Sequence, residues 1–145
     1  SHPERSAAAK NRALKLHLEL DADSFQSAIP ECEVIKLDGC PFLDESVLFH
    51  RPTGSLIGAD LLISACAKDH FTWRWAARIT GCYGKACVPP DVRSRTRPSD
   101  ATARAIDRMT SLPLKRILVA HCDPIVERPA AQLAEAWQFS GATRR

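Results

Sequence analysis

The stretch Gly54-Ser55-Leu56-Ile57-Gly58-Ala59-Asp60-Leu61-Leu62-Ile63-Ser64 decides how this chain is read. Apolar residues dominate it, and the pattern predicts a buried strand over 55–63. A lone Asp sits inside the run. An ionised carboxylate is costly to bury unpaired, so Asp60 needs a partner, a metal or a strand-end exit to water. A second apolar run, Arg116-Ile117-Leu118-Val119-Ala120-His121-Cys122-Asp123-Pro124, also delivers polar groups at its end. Sites in α/β sheets gather where strands end. Asp60 and His121 are therefore the candidate site residues, and their side chains are expected to converge. Without a metal between them, a hydrogen bond would satisfy both groups. Replacing His121 with Ala would then cost roughly 1–3 kcal/mol.

Upstream, Arg51-Pro52-Thr53-Gly54 is a hairpin turn signal. It joins strand 55–63 to a strand over Glu45–His50 as antiparallel neighbours. Phe49, Leu56 and Leu61 are expected in the core. Glu31–Leu37, rich in Val and Ile, predicts a further strand, and Asp38-Gly39 marks its turn. Leu14–Leu20 alternates strictly, which reads as a half-buried strand with His17 on its polar face. Ser24–Ile29 suits one helical turn stopped by Pro30. Residues 1–13 read as a tail or a frayed helix.

Downstream, a helix is expected over 69–80, with Asp69 as N-cap and Gly81 as stop. Trp73 and Trp75 lie two apart and cannot share a helical face. One should pack inward and the other should reach the surface or a partner. Residues 83–98 read as a loop, with Pro89-Pro90 and alternating Arg93, Arg95 and Arg97. Those arginines suit either an anion or partner contact or a solvated loop. A helix follows over 99–111, capped by Ser99 or Asp100, with Ala103, Ile106, Met109 and Leu112 on one face. Pro129 fits the first turn of a last helix near 128–139, whose apolar stripe is Leu133, Ala134 and Trp137.

The bulk numbers exclude several classes. A chain of 145 residues suits one domain with one core. Hydrophobic residues make up 45% and charged residues 26%, as in ordinary globular proteins. A net charge of +3 does not demand a nucleic-acid partner, and a lone Tyr argues against base stacking. No apolar run approaches the roughly 20 residues that span a bilayer, so no membrane partner is expected. The six cysteines form no Cys-x-x-Cys pair, which speaks against a zinc ribbon or a thioredoxin-like site. They read as mostly buried and reduced, which implies an intracellular setting, cytoplasm or organelle matrix. The rival reading is a Cys82–Cys87 disulfide across Tyr83-Gly84-Lys85-Ala86.

The order of these features carries a resemblance. A hairpin leading to an Asp, a helical excursion, a strand ending in His and a closing helix occur in sequence. With the text Glu45-Ser-Val-Leu-Phe-His-Arg-Pro-Thr-Gly-Ser-Leu-Ile-Gly-Ala-Asp60, this resembles the C-terminal half of the metallo-β-lactamase superfamily. Within it, the text is most similar to an uncharacterised metallo-hydrolase-like branch. The resemblance covers about residues 31–140. It implies an α/β fold, a partial or shortened αββα sandwich with a mixed sheet flanked by helices. It also implies a domain division of 1–30 as lead-in, 31–140 as half domain and 141–145 as disordered tail. In the family, an Asp at the place of Asp60 bridges two metal ions and a His at the place of His121 closes the site. Imidazole and carboxylate both bind divalent metals.

The chain departs from that family in its other ligands. The family's His-x-His-x-Asp-His cluster is missing, and the early histidines, His2 and His17, lack the spacing. Near the middle ligand, residues 38–44 offer Asp38, Cys40 and Asp44 instead of His. Asp60 and His121 thus read as a relict pair, with no cofactor expected. The functional expectation is a non-catalytic module that acts by protein association, as a homo-oligomer or an accessory subunit. The alternative is a metal-dependent hydrolase, with zinc as a possible metal, whose N-terminal metal-binding half is missing from this chain or supplied by another.

Overall fold

A computed structural model describes residues 29–141. The expected tail at 1–13, the strand at 14–20 with His17, the turn at 24–29 except for its last residue, and the tail at 141–145 except for its first lie outside the described residues. The fold is mixed α/β. Four strands form one sheet in the order β1-β2-β3-β4: β1 Cys32–Lys36, β2 Ser46–His50, β3 Ser55–Ile57 and β4 Arg116–Leu118. The first three make an antiparallel meander, and β4 joins β3 in parallel. Helices α1 Phe71–Thr80, α2 Pro90–Arg95 and α3 Asp100–Thr110 lie between β3 and β4 in the chain. Helix α4, Pro129–Trp137, closes the fold and runs into a short 3₁₀ turn, Gln138–Ser140. Among the described residues, no helix is long and apolar enough to cross a membrane.

The turn between β2 and β3 needs its glycine. Gly54 has φ 63°, and a Cβ there would stand 2.8 Å from the Pro113 carbonyl oxygen. Its own carbonyl accepts from the Lys115 N–H at 2.8 Å, which guides β4 alongside β3.

One face of the sheet is covered. Ile35, Val47, Phe49, Leu56 and Ile117 are buried there with Ile106 and Met109 of α3 and Leu133 and Trp137 of α4. Phe49, Leu56 and Leu61 are core residues, as their pattern predicts. Glu33 of β1 ties the sheet to α3 by accepting from Arg108 at 2.7 Å, and it also accepts from Arg51 of the hairpin turn at 3.2 Å. The opposite face carries one apolar residue from each strand in register: Val34 pairs with Leu48, Leu48 with Ile57 and Ile57 with Leu118. Val34, Leu48 and Leu118 are half-buried and Ile57 is exposed.

Several expectations need correction. β3 stops at Ile57, well short of residue 63, because the backbone of Ala59 and Asp60 donates to the Glu45 carboxylate instead of a neighbouring strand. β4 stops at Leu118, although bridges at Ile63–His121 and Ile63–Cys87 continue the pairing in isolated steps. His70, not Asp69, caps α1, with its ring Nδ1 accepting from the Thr72 N–H. The Asp69 carboxylate is engaged by the Cys66 N–H at 2.7 Å. Neither Trp73 nor Trp75 packs inward, because α1 buries only Ala77. The segment expected as a loop holds α2, which Pro90 opens at the first helical position. On α3 the expected Ile106 and Met109 are buried and Leu112 packs against the core, while Thr102 and Ala105 are buried where Ala103 was expected. Ser99 caps that helix as expected, accepting from the Thr102 N–H at 3.1 Å.

Candidate functional site

The parallel β3–β4 pair builds the site. Regular pairing ends at Ile57–Leu118, and further on His121 bridges Ile63. The loop over 58–62, between those two pairings, brings Asp60 beside His121. Backbone bonds extend the alignment: Gly58 N–H donates to the Leu118 carbonyl at 2.9 Å and Ala120 N–H to the Ala59 carbonyl at 3.1 Å. The two side chains meet, with His121 Nε2 3.2 Å from Asp60 Oδ1. Their side chains are 61% and 50% exposed, so the pair stands at the surface rather than in the core.

Beneath the pair lies a carboxylate that sequence reasoning passed over. Glu45, only 8% exposed, accepts from the backbone N–H groups of Ala59 and Asp60. It fixes the loop that presents Asp60. Burial pushes its pKa up, the two backbone donors oppose that, and the neighbouring Asp60 charge adds to it. The signal that would have found it is Gly58. An isolated glycine in a strand pattern marks close backbone approach, and a Cβ there would stand 2.7 Å from Glu45 Oε1.

The pair opens onto a cleft of about 1280 Å³. Ser64, Cys66, Trp73, Lys85, Cys122 and Asp123 are among the residues that line it. Burial and the adjacent Asp123 raise the Cys122 pKa, which keeps that thiol protonated and a poor nucleophile at neutral pH. Leu61 and Leu62 anchor the Asp60 loop in the core, and Trp137 Nε1 donates to the Leu61 carbonyl at 3.2 Å.

Comparison with protein-family models, with curated proteins and with solved structures finds no match. A catalytic zinc takes three protein ligands and leaves one position for water. Asp60 and His121 supply two, and among the described residues no group of three His, Cys, Asp or Glu is placed to hold a metal. Asp38, Cys40 and Asp44, the residues standing where a middle ligand would fall, do not complete such a group. The donors of this chain's described residues do not fit a closed zinc site.

Two of the three candidate arginines have partners within the fold. Arg93 lies over the Phe139 ring at 5.2 Å and Arg95 over Phe42 at 4.2 Å, so both pack against aromatic faces. Cys82 and Cys87 form a disulfide, which corrects the reading of these two as reduced. Cys32, Cys40, Cys66 and Cys122 are free thiols.

Proposed function

We propose that this chain is a degenerate metallo-β-lactamase-like half domain that acts by associating with a protein rather than by chemistry of its own. The observation that carries the reading is the second face of the sheet, which lies outside the buried core of the described residues, with Ile57 exposed and Val34, Leu48 and Leu118 half-buried. A sheet with helices on one side and an in-register apolar row on the other is half of a sandwich. Val34, Leu48, Ile57 and Leu118 are the row that a complementary sheet would cover. Such a face is seldom left to water without a partner. The complement is a second copy or a larger assembly in which the chain is an accessory subunit. Four of the six cysteines are free thiols, which supports an intracellular setting, and the Cys82–Cys87 disulfide counts against it.

A second reading has its own observation. Asp60 and His121 converge over a roomy cleft, as two ligands would if another chain supplied the His-rich half of a zinc hydrolase. Two measurements separate these readings. Sedimentation of the purified chain should show association that Leu48→Lys and Ile57→Asp abolish. A strict monomer at high concentration, unaffected by either change, would refute the association reading. Elemental analysis should find well under one tightly bound metal per chain, and a stoichiometry near two would move the protein into the hydrolase class.

A further inference from the structure

Helix α1 carries its apolar residues on the wrong side for a core. Ala77 is its only buried residue, whereas Phe71, Trp75 and Ile79 are 70%, 68% and 64% exposed. Their spacing of four places them in one row on the outward side of the helix. Arg74 and Arg78 flank that row, and the helix contains no acidic residue. The Arg78 guanidinium is held 3.8 Å over the Tyr83 ring, with Nη1 donating to the Arg74 carbonyl. Ion pairs among the described residues use other cations, which leaves Arg74 and Arg78 without a carboxylate.

We infer that α1 is a peripheral docking element for an anionic lipid surface. Aromatic and aliphatic side chains on one face, with arginines at its margin, form the pattern that lies in the headgroup region of a bilayer. Charge decides against a second copy. In an antiparallel two-fold contact between these helices, the arginine margin of one would meet the arginine margin of the other. Size decides the same way: two aromatics and one Ile expose on the order of 400 Å², against about 800 Å² per partner in a standard interface. A peripheral contact is not the membrane span that run length excludes, and it departs from the expectation of no membrane partner. It uses none of the sheet-face residues, so it stands or falls separately from the proposed association.

The test is flotation of the whole chain with phosphatidylcholine vesicles, with and without phosphatidylserine. The chain should float only with the phosphatidylserine vesicles, and raised salt should release it. Phe71→Ser with Trp75→Ser should abolish flotation. Arg74→Gln with Arg78→Gln should weaken binding by about thirty-fold. Circular dichroism checks that each variant folds. Should the double Ser variant unfold, quenching of native tryptophan emission by brominated lipid tests the same contact without a mutation. Failure of the native chain to float with anionic vesicles, equal flotation with neutral ones, or absence of quenching would overturn the inference. So would a change in the lipid-free sedimentation coefficient on removing the row, which would assign it to a protein contact.

Discussion

At the scale of single residues, exposure sets what the Asp60–His121 pair is worth. Exposed ion pairs contribute about 0.2–1 kcal/mol, because water screens them and two side chains must be ordered. With both side chains half or more exposed, His121→Ala should cost within that range, below the 1–3 kcal/mol that a buried pair implied. Chemical denaturation of the single and double variants at both positions measures it, and a coupling above that range would show that the pair is more enclosed. Glu45 is the opposite case. Its folded pKa lies above the ordinary 4.5, chiefly from burial, so the folded state holds its proton more tightly than the unfolded chain. The stabilising contribution is complete below 4.5 and is lost as pH rises through the raised value. The melting temperature of the native chain relative to Glu45→Gln should therefore increase on acidification through that window. An unchanged difference across it would show that burial does not dominate this carboxylate. Asp60 was legible because an acid inside an apolar run is conspicuous. Glu45 was not, because a glutamate at the start of a strand is ordinary until the backbone of Ala59 and Asp60 is seen to bond to it.

At the scale of elements, long periodic patterns were legible and short ones were not. The meander, α1, α3 and α4 lie near where turn residues and apolar spacing placed them, although β3 is shorter and His70 rather than Asp69 caps α1. Helix α2 was missed because Pro89-Pro90 and three arginines read as loop, whereas its only buried anchor is Val92. The inward Trp on α1 was wrongly expected because spacing tells which residues share a face but not which face meets the core. What holds α1 is a small separate cluster of Ile63, Ala65, Ala77 and Cys82, with the Cys82–Cys87 bond beside it. The segment after the helix is further fixed by Ala65 N–H donating to the Cys82 carbonyl at 2.9 Å and Cys87 N–H to the Ile63 carbonyl at 2.9 Å. Closing a loop of this length stabilises by about 2 kcal/mol on the chain-entropy account. Cys82→Ser with Cys87→Ser should lower stability by that amount and raise hydrogen exchange in α1 before it does so in α3. Uniform loss of protection in both helices would show that α1 is not a separate unit. Mass spectrometry without reductant should find one disulfide and four thiols.

At the scale of the whole molecule, an α/β class with a mixed sheet was legible from the order of strand and helix patterns. The parallel addition of β4 at the β3 edge, which aligns Asp60 with His121, depends on contacts between distant parts of the chain that no local pattern contains. The same pairing has a consequence for how the protein folds. Strands β1 to β3 join through short turns and need little loop closure, so they can form early. Strand β4 must return across three helices to meet β3, as Ser55 pairing with Arg116 shows. Contacts this distant in sequence are entropically costly to close and form late when nearer ones exist. Ile117→Val, which trims a fully buried β4 residue, should then speed unfolding more than it slows folding, while Val47→Ala in the meander should slow folding. The reverse order of effects would place β4 in the nucleus. During synthesis, the meander and the Asp60 loop would emerge and pair while β4 is still unmade, so the two halves of the candidate site would come together only in the closing step.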